Sequence, residues 1–245
     1  MNFNVLTIFP DIFQIFKTGV LSKGLDDSFF VNCIDIRKNA MNKHGQIDSK
    51  PYGGGEGMVM MAEPLKKSIE DIPSKKLGKV IYLSPQGKKL DQEKVLELSK
   101  LPNITFICGR YEGIDQRFID SYVDEEISIG DFIISGGEYA AMILIDAIAR
   151  NIPGNIGNKN SVIKDTFSNG LLKGPVYTRP ENFENINVPD VLLSGNHKQI
   201  EEWKDKKSLI RTYLRRPDLL NDVKLTNKQK NSWKIGNLRI SYSTF

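Results

Sequence analysis

Phe106 to Arg117 reads FICGRYEGIDQR, an apolar run that stops at a glycine and passes into a charged, aromatic turn. From Ile104 to Cys108 five β-prone or apolar residues follow one another, the pattern of a strand buried on both faces. Gly109 ends it. In open α/β sheets ligands collect just beyond the carboxyl ends of strands, so Arg110, Tyr111, Glu112 and Asp115 stand where binding chemistry usually sits. Read alone, the stretch serves equally well as a solvated loop whose glycines make tight turns.

Two further segments couple an apolar strand to a glycine turn in the same way, and a third is a glycine cluster beside methionines. Pro51 to Met61 reads PYGGGEGMVMM, Val80 to Leu90 reads VIYLSPQGKKL, and Ser128 to Glu138 reads SIGDFIISGGE. Glycine lets backbone approach a ligand closely. Several such turns converging on one place would form a pocket lined by main-chain amides and carbonyls, suited to reading a purine.

The rest of the chain alternates strand and helix signals. Val5 to Phe9 and Val31 to Ile36 read as strands, and Pro10 opens a helix through about Phe16. Pro64 to Ile69, Asp91 to Ser99 and Glu138 to Ala149 have helical patterning, the last opened by a capping box of Ser135 and Glu138. Arg37 to Gly57 is polar and glycine-rich and reads as a long loop that orders on binding. The alternation predicts an α/β fold with a mostly parallel sheet covered on both faces. Composition changes after Arg150. Asn151 to Asn160, with Pro153, Gly154, Gly157 and four asparagines, reads as a linker. The expected domains are 1–156, a linker over 157–164, and a small helical C-terminal domain over 165–245.

The 245 residues, 40% of them apolar, suffice for a packed core. Asp11 interrupts any leader-like apolar run, and no stretch approaches the twenty apolar residues of a membrane span, so a cytoplasmic protein with no membrane association is expected. Cys33 and Cys108 lie in apolar strands without metal-ligand spacing and read as reduced core residues. A net charge of +4 and a pI near 8.9 are compatible with nucleic acid. Between Lys198 and Arg216 seven Lys or Arg stand against three acids. On a helix Lys204, Arg211 and Arg215 share one stripe, facing phosphate, while Ile200, Trp203, Ile210 and Leu214 form the adjoining, docking stripe; a solvated basic face is the alternative.

Missing motifs narrow the chemistry. The sequence contains no G-x-G-x-x-G, no G-x-x-x-x-G-K-[ST] and no G-x-S-x-G, and only two histidines, His44 and His197. Hydride transfer, nucleotide hydrolysis, serine-type acyl transfer and a zinc site lose support.

The four glycine segments, in this order, closely resemble the bacterial tRNA (guanine-N1)-methyltransferase family of the TrmD type. The resemblance continues through Ile152-Pro153-Gly154, Asp165 to Leu172 (DTFSNGLL), Tyr177 to Pro180 (YTRP), Val191 to His197 (VLLSGNH) and Leu214 to Leu219 (LRRPDL), covering nearly the whole chain. It implies methyl transfer from S-adenosylmethionine to N1 of the guanosine immediately 3′ of the anticodon. It further implies a trefoil-knotted α/β domain, a homodimer in which one subunit's catalytic loop closes over the other's cofactor, and a requirement for magnesium. Asp165 matches the family's catalytic aspartate, and a helix N-cap is its alternative role. Arg150 matches the arginine that would stabilise charge on O6, and a cation at a helix C-terminus is its alternative. For the cofactor the resemblance assigns Tyr82, Pro85, Gly109, Tyr111, Gly113, Ile129, Gly130, Asp131, Phe132, Ile133, Ile134, Gly136 and Gly137. Glu112 and Asp131 are acidic neighbours of that cofactor, and no metal ligands follow from the sequence. Lys173-Gly174 departs from the family pattern, which usually has an acidic and a bulkier residue there. A related knotted enzyme acting on ribosomal RNA would share the cofactor turns without needing Asp165, YTRP or SGNH, and a non-catalytic RNA-binding protein would not need to retain Asp165 and Arg150.

Overall fold

The computed structural model describes residues 1–155, 166–167, 169–221 and 223. The chain divides into two compact units, Met1–Lys159 and Asn160–Phe245. The expected linker over 157–164 lies outside the described residues.

The first unit is built on a sheet of five strands, β1 (Asn2–Thr7), β2 (Phe30–Asp35), β5 (Lys79–Lys89), β6 (Asn103–Cys108) and β7 (Glu125–Ser128), in the order β2-β1-β6-β5-β7. Every pairing in it is parallel. Two two-residue strands, β3 (Asp48–Ser49) and β4 (Val59–Met60), pair with each other outside it. The period of two along the strands sorts side chains into two cores. Phe3, Val5, Ile81, Leu83, Ile104, Phe106 and Cys108 face one side, while Leu6, Val80, Tyr82 and Ile107 face the other. Besides the short helix α2 (Ser74–Leu77), the helices α1 (Ala62–Glu70), α3 (Gln92–Leu98), α4 (Gln116–Tyr122) and α5 (Gly137–Ala149) supply the covering layers. Val95, Leu98 and six alanine, leucine and isoleucine positions of α5 close the first side, and Leu65, Ile69 and Phe118 close the second. Fully burying a side chain such as Phe106 contributes about 1.5–3 kcal/mol. Both faces of the sheet are thus apolar, as the near-continuous strand sequences require.

Two expectations shift. Strands β1 and β2 begin earlier than read, and the Arg37 to Gly57 stretch is not one structureless loop. It opens on a 3-10 turn at Ile36–Asn39, capped by the Asp35 carboxylate accepting from Arg37 N, and then enters β3. A third fails. No side chain caps the start of α5: its N-cap is Gly136, and the Glu138 carboxylate is bonded into the core by Thr7 and Arg110.

The second unit contains a hairpin of β8 (Asn182–Phe183) and β9 (Ile186–Asn187) and the helix His197–Arg215. It is therefore not purely helical. The side chain of Asn196 caps the helix by accepting from Gln199 N. The face that packs is not the one read from the sequence. Leu209 and Thr212 are buried, whereas of the expected stripe Ile200, Trp203 and Ile210 are half-buried and Leu214 is exposed. The reason is polar. Ser208 Oγ donates to Leu172 O, Thr212 Oγ1 accepts from Leu172 N at 2.9 Å, and Arg211 Nη1 donates to Lys173 O at 3.3 Å, so the 171–173 segment binds the helix along its hydroxyl-bearing side.

Candidate active site

The carboxyl ends of β5, β6 and β7 lie side by side, and the turns leaving them enclose a cavity of about 440 Å³. That volume is within the range of small-molecule sites. One wall is Ser84-Pro85-Gln86. Here β5 leaves its pairing with β7 after Leu83 and resumes it at Lys88, both residues registering with Ile127. A second wall is 109–113, and the third runs from Ile127 to Gly137.

The walls are held by contacts that tolerate no side chain where glycine stands. A Cβ on Gly109 would lie 2.8 Å from the Tyr82 ring, and one on Gly137 would lie 2.8 Å from the Cys108 backbone. Gly137 N donates to Gly109 O at 2.9 Å, stitching the start of α5 to the end of β6. Tyr111 adopts a left-handed φ of +59°, the only such non-glycine residue in the cavity wall among the described residues. Ser128 Oγ accepts from Gly130 N and fixes the third turn.

Among the residues expected to meet the cofactor, Tyr82, Pro85, Gly109, Tyr111, Gly113, Ile129, Gly130, Phe132, Ile133, Ile134, Gly136 and Gly137 line the cavity. Asp131 does not. Its carboxylate turns outward to Lys89 Nζ at 2.6 Å. Tyr82 is buried, and burial, with the nearby Glu126 charge, pushes its phenol up to about 12, so it stays neutral. Burial also pushes Cys33 up to about 11, with Asp11 adding, and Cys108 well above the usual thiol range, which makes both inert. Asp115 caps α4, and its bonds to Arg117 hold its carboxyl below the usual range.

Other expectations do not gather there. Asp165 lies outside the described residues. Arg150 forms the C-cap of α5, donating its amide to Asp146 O at 3.1 Å. The 13 residues of α5 span about 20 Å at the usual helical rise, so Arg150 and the Gly137 end of the pocket sit at opposite ends of one helix. Among the described residues no three His, Cys, Asp or Glu side chains stand together as a metal cage.

Sequence reasoning missed Leu83, Ser84, Gln86, Ile127, Ser135 and Ala140, which also line the cavity, and the true place of Glu138. A glutamate in the first turn of an otherwise apolar helix was the available signal.

The sequence profile of the family described as tRNA (Guanine-1)-methyltransferase TrmD matches residues 1–222. A tRNA (guanine-N(1)-)-methyltransferase of Pseudoalteromonas translucida is 53% identical over 230 residues, spanning 92% of this chain and 90% of the relative. Proteins of the same name from Buchnera aphidicola, 50% identical over 94% of both chains, and Haemophilus ducreyi, 48% identical over 92% and 93%, are similarly close.

Proposed function

This chain belongs to the TrmD family of tRNA (guanine-1)-methyltransferases, and from that premise we propose how its residues divide the work of methylating a tRNA guanosine. The enzyme uses S-adenosylmethionine as methyl donor and tRNA as substrate. The observation that carries the reading is the cavity at the carboxyl ends of β5, β6 and β7, whose walls combine main chain and apolar side chains with the Arg110 and Glu112 side chains. A donor of this kind fits it. Leu83, Ile129 and Ile134 offer apolar surface for an adenine, and the amides and carbonyls of the 109–113 and 128–137 turns offer partners for its edge. When bound, S-adenosylmethionine supplies a methyl group carried on a positive sulfur.

The target is the guanosine immediately 3′ of the anticodon. Its N1 carries a proton at neutral pH, and Asp165 removes it as general base. Arg150 places a permanent charge near O6 as negative charge spreads there. Because Arg150 lies about 20 Å along α5 from the pocket end, it serves the site of a second copy, and the active form is a homodimer. The Met1–Lys159 unit binds the cofactor and carries the trefoil knot, and the Asn160–Phe245 unit binds tRNA in the cytoplasm. Among the described residues no carboxylate or histidine cluster forms a cage for the magnesium that the resemblance implies.

Incubation with labelled S-adenosylmethionine and unmodified tRNA transcripts, followed by mapping of the methylated base, tests the reaction. Label on any base other than that guanosine refutes the target. Asp165→Asn is expected to lower turnover by about 10²-fold or more while cofactor affinity holds. Wild-type turnover in that variant would leave Asp165 a helix cap. A light-scattering mass near 27.7 kDa under conditions of full activity would remove the dimer.

A further inference from the structure

Behind the pocket lies a carboxylate that the chemistry above does not use. Glu138 is 0% exposed. Its Oε1 accepts from Thr7 Oγ1 at 2.8 Å, and its Oε2 accepts from Arg110 Nε at 3.0 Å and Nη2 at 2.9 Å. Arg110 Nη1 donates to Ser135 O at 3.1 Å, and its guanidinium carbon sits 4.6 Å from the centre of the Phe9 ring. One cation therefore ties the end of β1, the turn after β6 and the turn before α5. The fit is close. A Cβ on Gly136 would meet Arg110 Nε at 2.2 Å, so this glycine answers to the arginine rather than to a ligand.

Burying a lone carboxylate is strongly unfavourable, and removing one partner of a buried pair leaves the other uncompensated. The pair's position gives it a second consequence. Arg110 lines the cavity, and a fixed guanidinium in a pocket wall repels a cationic ligand unless an opposite charge is bound to it. We propose that Glu138 is a positioning residue for the methyl donor: it orients Arg110 and cancels its charge, so that the wall presents no net positive charge to a sulfonium.

This rests on the assignment of S-adenosylmethionine to the cavity, and the test separates the two. Affinities for S-adenosylmethionine, a cation at sulfur, and S-adenosylhomocysteine, neutral there, are measured by calorimetry on the full-length protein. Wild type binding neither would refute the pocket assignment itself. In Glu138→Gln, which frees the arginine charge, the ratio of affinities is expected to move against the cation by about fivefold or more. In Arg110→Gln, which frees the carboxylate, it should move toward the cation. An unmoved ratio in either folded variant overturns the proposal, because a merely structural loss weakens both ligands alike. If neither single variant folds, the paired Arg110→Gln/Glu138→Gln protein is expected to fold and keep the wild-type ratio. Failure of that pair to fold, or a shifted ratio in it, also overturns the role.

Discussion

Two glycine-rich regions of the first unit read alike as sequence and differ as structure. In 109–137 the missing side chains are occupied by neighbours: Tyr82 stands against Gly109, Arg110 against Gly136 and the Cys108 backbone against Gly137. In 51–55, Gly53 and Gly54 adopt left-handed φ of +86° and +81° with nothing within 4 Å of where a Cβ would go, beside a Tyr52 that is 99% exposed. The first region uses glycine for what it lacks, the second for how it bends. A pocket that is formed before its ligand arrives follows from the first use, and a loop that takes its shape from its surroundings follows from the second.

The comparison breaks most readily at Gly137. Its Cβ clash is with backbone that cannot swing aside, so Gly137→Ala should push α5 off β6 and destabilise the fold by about 1–3 kcal/mol. Thermal unfolding should fall by several degrees and cofactor affinity by at least about tenfold, both readable by calorimetry. Gly54→Ala has space but the wrong φ, which is expected to lose about 1 kcal/mol locally while cofactor affinity stays as in wild type. A larger affinity loss there than at Gly137 would reverse the contrast.

A smaller effect sharpens it. The Asp115 carboxylate, bonded to Arg117 and lying just after the 109–113 wall, has a folded pKa below its ordinary value. A depressed carboxyl contributes stability that is present above the unfolded-state range and is lost as pH falls through the folded value. Titration downward from about pH 4 should therefore loosen the α4 cap, with amides at its first turn exchanging faster. Arg117→Ala should shrink that pH-dependent loosening, because the folded value then moves up toward the unfolded one.

The sequence made the strands and their destination readable because both depend on local pattern. Ile104 to Cys108 is apolar at successive positions since both faces of β6 are covered, and Gly109 marks where it ends. Glu138 was misread for the opposite reason. A Ser-x-x-Glu spacing satisfies a local rule, while Thr7 and Arg110 come from 131 and 28 residues away. The helical phase of His197–Arg215 failed in the same manner. Ile200, Trp203, Ile210 and Leu214 are the apolar choice, but the 171–173 backbone needs hydrogen bonds and selects Ser208, Arg211 and Thr212. Asp131 was drawn into the site by its neighbours in sequence, although its charge is matched by Lys89 on the far side of the turn. The twelve lining residues that the resemblance named are placed by turns whose glycines are visible in sequence. The roles of Asp165 and Arg150 rest on the reaction, which no local pattern encodes.

Strand β5 leaves its neighbour after Leu83 and rejoins it at Lys88, against the same Ile127. Ser84 to Gly87 is thus a detour whose two ends are clamped at one ladder position, with Ser84 Oγ accepting from Gln86 N inside it. Its length is decoupled from the sheet. Residues could be added to or exchanged in this detour without moving any strand out of step, which makes it the part of the pocket most open to divergence: a lineage could retune which ligand the wall accepts while inheriting the scaffold unchanged.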